Sequence, residues 1–375
     1  MEYWLWLRGI RGLGPIIEKR LLNHFKTPKS IYEAEEDELM SIMGIGKVIA
    51  NSIVSSHSLN NAYSVLNKME KKNIKLLTYN DSLYPCIAKD YVEAPTLLYY
   101  RGMIKENIEG VAIVGSRRCS NYGKRVAIEA AEFLAECNIP VISGIAKGID
   151  GYAHTACLNR NGYTIAFLGN GVDICYPSEH ISLMEAIIEN GAVISEYPPG
   201  TTTHSEFFPR RNALISSWCK KILIAEAAER SGALITSDFA RELNREVFAA
   251  PYEIHSSSGK GTNRLILEGA TIYLDPSQLM LGEKIVNIED VIEGEDLIES
   301  RRVKIHPNNN VTINKELSVI EEKILSCIME KPKTIEEIGI ELNIDGVDLI
   351  EEISIMELEG SIRDIAGGRY IGCRG

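Results

Sequence analysis

The central part of the chain alternates short apolar runs with longer stretches of helical period. Six runs have the length and continuous apolar character of buried strands, at 111–114, 141–143, 164–168, 192–195, 222–225 and 247–250. Between them, apolar positions at helical spacing predict helices near 123–137, 148–160, 180–190, 205–218 and 231–244. Apolar strands that alternate with helices indicate a mostly parallel sheet covered on both faces, so the predicted fold class is α/β.

The first 75 residues have a helical pattern that is interrupted twice by glycine turns. The interruptions are Gly12-Leu13-Gly14-Pro15 and Gly44-Ile45-Gly46-Lys47. A Gly-apolar-Gly hairpin between two helices can offer backbone N–H groups to a DNA backbone, but a small helical bundle also uses glycines simply to turn. Both interpretations stay open. Residues 76–110 have no clear period and are predicted to be an irregular connector that ends in an apolar stretch at 97–100.

The last third of the chain predicts a linker followed by a small domain. Residues 283–314 are acidic and then polar, with His306-Pro307-Asn308, which is typical of a flexible linker. Helical stretches at 320–329, 335–342 and 347–358, followed by a short hairpin, outline a winged helix. The final helix carries acidic side chains that would repel phosphate, so a protein-interaction or regulatory module is favoured over a DNA reader; they are Asp345, Asp348, Glu351, Glu352, Glu357 and Glu359.

Composition places the chain among ordinary globular proteins and leaves the partner open. Of its 375 residues 45% are hydrophobic and 25% charged, and the net charge is −12. That charge is uneven, because residues 283–375 hold 21 acids and 11 bases whereas residues 1–80 hold 8 acids and 11 bases. No apolar run reaches the length of a membrane span, and the N-terminus does not resemble a signal peptide. With eight cysteines that lack metal-ligand spacing, a cytoplasmic protein with free thiols is expected.

A phosphate-binding turn is predicted after the first of the six strands. Gly115-Ser116-Arg117 follows that strand and precedes a helix. The free N–H groups and the positive end of a helix dipole favour an anion there, and Arg117 adds a planar fork that can bind phosphate oxygens.

Similar loops follow the later strands. They contain Ser143-Gly144-Ile145-Ala146-Lys147-Gly148-Ile149-Asp150, Gly169-Asn170-Gly171, Phe207-Phe208-Pro209-Arg210-Arg211-Asn212, Arg230-Ser231-Gly232 and Gly259-Lys260-Gly261-Thr262-Asn263. For any single loop, a glycine that only permits a tight turn is the simpler explanation. Because strand ends of a parallel sheet share one edge, the set together predicts a long polar groove suited to a polymer.

Several familiar sites are disfavoured by the sequence. Gly259-Lys260-Gly261-Thr262 breaks the P-loop pattern at its last required position, and the second strand ends in Ser143-Gly144 without the acid that would hold a ribose hydroxyl. Two pairs could begin a metal site, His204 with Glu206 and Asp150 with His154, but neither has an evident third ligand.

The loop sequences resemble the bacterial DNA-processing protein A (DprA or Smf) family. The similarity covers roughly residues 80–282 and rests on the runs GSRRCSNYGKRVA, SGIAKGIDGYAHTACL, LGNGVDICYP, SEYPPGTTTHSEFFPRRNALIS, EAAERSGALITSDFA and GTNRLILEGA. The resemblance implies an extended Rossmann-like, doubly wound domain at 76–282. It also implies a sterile-alpha-motif-like or helix-hairpin-helix domain at 1–75, a linker at 283–314 and a winged helix at 315–375.

The same resemblance implies a function and a set of contacts. It implies sequence-independent binding of single-stranded DNA, a homodimer formed through the core, and loading of the RecA recombinase in natural transformation and recombination, with no catalytic residues. Carried onto this chain, the DNA-binding residues are Gly115, Ser116, Arg117, Gly144, Lys147, Gly148, Asp150, Phe208, Arg210, Arg211, Asn212, Ser231, Gly232, Thr236, Lys260, Gly261 and Asn263.

Three positions depart from what is common in the family. Ala213 stands where another arginine often continues the Arg-Asn motif, Pro251-Tyr252 replaces Pro-Gly, and Asn244-Arg245 replaces Gly-Arg. These differences are expected to weaken or reposition individual contacts.

Two enzymatic functions are alternatives to DNA binding. A nucleotide-processing enzyme similar to the lysine-decarboxylase-like phosphoribohydrolases would need a glutamate three positions beyond Thr236, where this chain has Phe239. A nuclease would use His204 and Glu206 with a metal ion, and the sequence supports it less than it supports the nucleotide-processing enzyme.

Overall fold

The computed structural model describes residues 1–281, 319–329, 331–342, 344, 349, 352–353, 355–357, 361–365 and 368–372. The chain divides into two compact units, Met1–Leu279 and Met280–Gly375. The predicted linker at 283–314 lies outside the described residues.

The first unit is built on a nine-stranded sheet with the order β1-β2-β6-β5-β4-β3-β7-β8-β9. Its strands are β1 Lys75–Thr78, β2 Leu97–Gly102, β3 Gly110–Gly115, β4 Val141–Ser143, β5 Thr164–Phe167, β6 Gly191–Ser195, β7 Cys219–Glu226, β8 Glu246–Ala249 and β9 Thr271–Ile272. Within the sheet, every neighbouring pair in the run β6-β5-β4-β3-β7-β8-β9 is parallel. The six predicted strands and the α/β fold class are confirmed.

Both faces of this sheet are covered by apolar side chains. Along β5, Ile165 and Phe167 belong to one buried cluster, whereas Ala166 and the following Leu168 belong to another. Since successive side chains of a strand point to opposite faces, the two clusters lie on the two sides of the sheet. A strand buried on both faces is apolar at most positions of both faces, which is why these strands have no alternating pattern.

Helices connect the strands of the core, and the first five of them agree with the predicted ones. They are α7 Asn121–Glu136, α8 Ile149–Asn159, α9 Ile181–Asn190, α10 Phe207–Ser217, α11 Gly232–Glu242 and α12 Lys260–Leu267. Ser120 begins α7 as an N-cap, its side chain accepting a hydrogen bond from the Gly123 amide at 3.1 Å.

The strand order changes direction at β3, in the middle of the sheet. From β3 the chain adds β4, β5 and β6 on one side and then returns to add β7, β8 and β9 on the other. The connections that leave β3 and β7 therefore diverge, which opens a crevice beyond their carboxyl ends, the usual ligand position in such sheets.

The expectation of an irregular connector at 76–110 was wrong. β1 and β2 lie in this segment and pair antiparallel with each other, and β2 also pairs antiparallel with β6. The four residues from Leu97 to Tyr100 are buried, so their continuous apolar run marked a strand. The prolines at 85 and 95 lie outside both strands and do not interrupt them.

The N-terminal helices form two copies of a helix-hairpin-helix unit offset by 32 residues. The helices are α1 Glu2–Arg8, α2 Pro15–Phe25, α3 Pro28–Glu33, α4 Glu36–Met40, α5 Lys47–Ser55 and α6 Asn60–Lys71. Gly12 and Gly44 have φ of 84° and 88°, a conformation that suits glycine. The next residues, Leu13 and Ile45, are buried, and Gly14 and Gly46 are the N-caps of α2 and α5.

Each hairpin also accepts a hydrogen bond from a helix of the other copy. The Arg20 guanidinium of α2 donates to the Met43 carbonyl at 3.1 Å. The Ser52 hydroxyl of α5 donates to the Arg11 carbonyl, likewise at 3.1 Å. These two bonds are related by the same 32-residue offset, so the pair of hairpins has approximate internal symmetry.

This helical region packs directly on the sheet. Leu5 and Leu7 of α1 share an apolar cluster with Leu97, Ala166 and Leu168. Ion pairs reinforce the contact, because Arg8 lies 3.0 Å from Glu196 and Lys72 lies 2.8 Å from Asp173. The helical region and the sheet therefore form one compact unit.

The second unit contains helices and a small sheet in winged-helix order. Its described elements are α13 Val319–Met329, β10 Lys333–Thr334, α14 Ile335–Leu342, β11 Ile362–Ile365 and β12 Arg369–Gly372. The strands pair antiparallel in the order β10-β12-β11. Much of the predicted final helix at 347–358 lies outside the described residues, as do Asp345, Asp348, Glu351 and Glu359.

No helix in the described parts of the chain combines the length and the apolar character needed to cross a membrane.

Candidate nucleic-acid interface

A pocket of about 500 Å³ lies at the carboxyl ends of β3 and β7, where the strand order changes. Four loops that follow β3, β4, β6 and β7 supply its walls. Predicted site residues among those that line it are Gly115, Ser116, Arg117, Asp150, Phe208, Arg211, Asn212, Ser231, Gly232 and Thr236. Ten of the DNA-binding residues predicted from the sequence therefore line one pocket.

An aromatic ring and two guanidinium groups form the centre of the pocket. Arg117 lies over the Phe208 ring at 5.0 Å, and Arg211 lies over the same ring at 5.6 Å. A guanidinium group at this distance is attracted by the negative face of the ring and is held in place by it. Arg117 is exposed and Phe208 half-buried, so both can meet a ligand, whereas Arg211 is buried.

The buried Arg211 organises the floor of the pocket. Its Nη1 donates to the carbonyl oxygens of Gly144 and, at 3.2 Å, Phe167, and its Nε donates to Asn212 Oδ1 at 3.0 Å. Asp150 accepts a hydrogen bond from the Gly144 amide at 3.2 Å. Burial raises the pKa of the Asp150 carboxyl, and the Arg211 guanidinium opposes that effect. Arg211 and Asp150 are therefore buried residues that hold the backbone around the pocket in place.

The N-terminus of α11 opens into the same pocket. Ser231 is the N-cap and accepts a hydrogen bond from the Ala233 amide at 3.3 Å. Gly232 begins the helix, and both residues line the pocket. The exposed Arg230 also lines it and was not among the residues selected from sequence. A helix N-terminus next to two exposed arginines is a favourable position for an anion.

Two glycines are required by the close packing around the pocket. A Cβ atom at Gly144 would overlap the Arg211 guanidinium. Gly148 has a φ of 74°, and a Cβ there would overlap the Ser116 carbonyl. Neither of these two predicted residues lines the pocket. Each is needed because a side chain at its position would collide with a neighbouring residue.

The remaining predicted residues do not line this pocket. Lys147 forms an ion pair with Glu179 at 3.0 Å, and Arg210 forms one with the buried Glu196 at 2.9 Å. Lys260 is exposed at the start of α12. The Gly261 amide donates to the Ala227 carbonyl at 2.7 Å, and the Asn263 side chain bonds the Tyr252 backbone. The loops at 169–171 and 259–263 are absent from the lining of this pocket, so the longer groove stays a prediction.

The three departures from the family pattern have structural explanations. Ala213 is fully buried in α10, so the residue there faces the interior. Asn244 has a φ of 55°, a conformation that asparagine tolerates almost as glycine does. Tyr252 donates a hydrogen bond to Glu226, a contact that glycine could not make.

The histidines considered for a metal site have other contacts. His204 packs edge-to-face on Phe207 with ring centroids 5.2 Å apart. His154 Nδ1 lies 2.7 Å from Thr164 Oγ1 in the interior. Among the residues that the structure describes, no group of three His, Cys, Asp or Glu side chains has a metal-binding arrangement.

Comparison with known proteins identifies the family. The sequence profile described as DNA recombination-mediator protein A matches residues 75–282, more than half of the chain. The chain belongs to this family. A helix-hairpin-helix profile matches residues 5–69, in agreement with the paired hairpins of the N-terminal region. The family resemblance inferred from the loop sequences is thus confirmed.

Members of the family from several bacteria are similar to the chain. Protein Smf from Synechocystis sp. is 30% identical over 98% of this chain and 98% of its own length. DNA processing protein DprA from Streptococcus pneumoniae is 40% identical over 51% of this chain and 68% of its own length.

Two solved structures share the fold. DNA processing protein A from Streptococcus pneumoniae superposes with a TM-score of 0.67 at 29% identity, covering 75% of this chain and 99% of that one. The protein of the same name from Helicobacter pylori, whose structure concerns its single-stranded DNA binding mode, gives a TM-score of 0.50 at 26% identity. That match covers 55% of this chain and 93% of the other.

Proposed function

We propose that this member of the DNA recombination-mediator protein A family binds single-stranded DNA in the pocket beyond β3 and β7. The observation that carries the proposal is the arrangement of Arg117 over Phe208 beside the N-terminus of α11. It offers a cation and helix N–H groups to a phosphate, and an aromatic face to a base. The Helicobacter pylori relative, described as binding single-stranded DNA, supports the same ligand class.

Single strands suit this pocket better than a duplex. Phe208 is half-buried within a pocket of about 500 Å³, so a base must leave its stack to reach the ring. Unpaired bases expose their faces at small cost, whereas unstacking a duplex costs a few kcal/mol for each base. Stacking does not depend on the identity of the base, so binding without a sequence code is expected.

The site gives no support for a chemical reaction on the bound strand. The carboxylate of Asp150 is buried and accepts a hydrogen bond from the Gly144 amide. Three positions beyond Thr236, where a phosphoribohydrolase would need a glutamate, Phe239 packs edge-to-face on Tyr91 with centroids 6.4 Å apart. We therefore favour a binding protein over a nucleotide-processing enzyme.

Two partners and a setting complete the proposal. We propose that the chain passes its strand to the RecA recombinase in the cytoplasm, during recombination and natural transformation, as the family resemblance implies. We also propose a homodimer formed through the core. Exposed apolar side chains on β9 and the segments beside it, Leu267, Ile272 and Leu274, offer a surface for that contact. Light scattering of the full chain would detect the dimer.

Removing the exposed guanidinium tests the binding site. Arg117→Ala is expected to weaken binding of a fluorescent oligo(dT) about tenfold or more, because it removes one phosphate contact and the cation beside the ring. Fluorescence anisotropy at fixed salt measures the affinity. Arg160→Ala is a matched control, since Arg160 is the C-cap of α8, where the chain turns back toward the start of β5 at the opposite edge of the sheet.

The control is expected to bind as the wild type does. Equal affinities of Arg117→Ala and the wild type would show that this pocket is not the binding site.

A further inference from the structure

Both ends of the loop that carries Arg117 are attached to one residue, Glu226. The Ser116 amide donates to the Glu226 backbone carbonyl at 2.9 Å. At the other end, the Ser120 amide donates to the Glu226 carboxylate, 3.1 Å from Oε1 and 3.0 Å from Oε2. The Ser120 hydroxyl donates to the same carboxylate. Arg117 therefore lies on a loop of five residues whose ends are fixed to the last residue of β7.

The Glu226 carboxylate is completely buried, so its position depends on its hydrogen-bond donors. A buried carboxylate without donors is strongly disfavoured. Besides Ser120, the Tyr252 hydroxyl lies 3.0 Å from Oε2 and 3.0 Å from the Ala225 carbonyl oxygen, so its single proton is shared between these two acceptors. Little space is left around this contact, because a Cβ atom at Gly123 would lie 2.6 Å from Glu226 Oε2 and 2.7 Å from the Tyr252 oxygen. The carboxylate is thus held in one place.

Tyr252 is itself held on three sides. The Asn263 side chain accepts from the Tyr252 amide and donates to its carbonyl, both at 2.9 Å. The ring packs on Gly259, where a Cβ atom would overlap it, and meets Tyr122 edge-to-face at 4.9 Å. Burial and the neighbouring Glu226 carboxylate raise the pKa of Tyr252 above its ordinary value, so the hydroxyl stays a donor.

We infer that Glu226 and Tyr252 are positioning residues that fix the Arg117 loop in its binding conformation. This inference rests on the proposed function, because it assigns a purpose to the order of a loop in that site. Arg117 and Arg118 are exposed, and within the loop the Ser116 hydroxyl donates to the Arg118 carbonyl at 2.8 Å. A loop that is already ordered loses less conformational entropy when it binds a phosphate.

The connection also gives Asn263 a role that differs from the predicted one. Its amide was expected to contact DNA, but both polar atoms of the amide bond the Tyr252 backbone. Asn263 therefore acts on the Arg117 loop through Tyr252 and Glu226, across the end of β7. Glu226 directly follows the apolar run at 222–225, but nothing in the sequence indicates its contact with Ser120.

Tyr252→Phe removes one hydroxyl and leaves the ring in place, so it tests the inference with little risk to the fold. Tyr84→Phe is the matched control, since Tyr84 is a buried tyrosine whose hydroxyl donates to the Pro95 carbonyl at 3.1 Å. Two readouts are compared with the wild type: hydrogen exchange of the Ser116 and Ser120 amides, and oligo(dT) affinity with and without Arg117→Ala.

In Tyr252→Phe we expect the Ser120 amide to exchange about tenfold faster, because a lost hydrogen bond lowers the cost of local opening. We expect oligo(dT) binding to weaken about threefold to tenfold when Arg117 is present, and not to weaken further when Arg117→Ala is already made. Tyr84→Phe should change neither quantity.

The inference would be overturned by unchanged exchange at Ser116 and Ser120, or by equal weakening with and without Arg117. The second result would indicate a general loss of stability. If Arg117→Ala alone binds as the wild type does, the proposed binding site fails, and the exchange rates still decide whether Tyr252 orders the loop.

Discussion

At the scale of single residues, the interior of the core holds a histidine that the fold keeps neutral. His154 is fully buried, and its Nδ1 lies 2.7 Å from Thr164 Oγ1. The Thr164 hydroxyl donates to the Val141 carbonyl at 2.8 Å, so it accepts from the histidine Nδ1–H. Burial, with the charges of His180 and Arg211, lowers the pKa of His154 to about 3.

This histidine makes stability depend on pH in a defined direction. The folded chain keeps His154 neutral, whereas the unfolded chain protonates it near its ordinary pKa of about 6.5. Its contribution is therefore complete above that value and is lost progressively as the pH falls toward about 3. When the pH falls from 7.5 to 5.5, the free energy of unfolding of the wild type should drop by about 1.4 kcal/mol more than that of His154→Gln.

Urea denaturation at the two pH values measures that difference. An identical pH dependence in the two proteins would mean that His154 is protonated in the folded chain.

The residues of the candidate site were predictable to different degrees. Arg117 and Ser231 follow apolar strands and precede helices, so local sequence was enough to place them in a phosphate-compatible turn. The roles of Glu226 and Tyr252 were not predictable, because they depend on contacts between positions more than 100 residues apart, such as Ser120 with Glu226. Arg210 was expected to face the ligand, but its guanidinium pairs with Glu196, which directly follows β6, and local sequence does not show this contact.

At the scale of secondary-structure elements, a continuous apolar run predicted each central strand of the sheet. β9, at one edge of the sheet, was missed because its pattern is weak. Thr271 and Ile272 of β9 are both exposed, so that strand has no burial signal. The 32-residue offset of the two N-terminal hairpins is visible in the sequence once Gly12-Leu13-Gly14 is aligned with Gly44-Ile45-Gly46.

The two hairpins should respond differently to the same substitution. Gly12→Ala and Gly44→Ala both place a side chain in a left-handed conformation, which costs about 1–2 kcal/mol. A Cβ atom at Gly12 meets open space, whereas one at Gly44 would overlap the Arg20 guanidinium. Gly44→Ala should therefore be less stable than Gly12→Ala by about 1 kcal/mol, the value of the Arg20–Met43 hydrogen bond.

Thermal or urea denaturation of the two variants gives the comparison directly. Equal losses would show that Arg20 moves aside without cost and does not secure the second hairpin.

At the scale of the whole molecule, the net charge of −12 is compatible with a nucleic-acid partner because the charge is unevenly distributed. Residues 283–375 carry much of the negative charge, and Arg117, Arg211 and Arg230 all line the pocket in the other compact unit. The local field governs phosphate binding, and the total charge matters less at distances beyond a Debye length of about 8 Å in physiological salt.

We propose that the pocket beyond β3 and β7 binds the backbone and bases of a single strand. The most direct test measures the affinity of the full chain for oligo(dT) and for a duplex of equal length, each at 50 and 200 mM salt. We expect oligo(dT) to bind at least tenfold more tightly than the duplex, and its affinity to fall about sevenfold between the two salts if two phosphates are contacted. Equal affinity for both DNAs, or binding independent of salt, would contradict the claim.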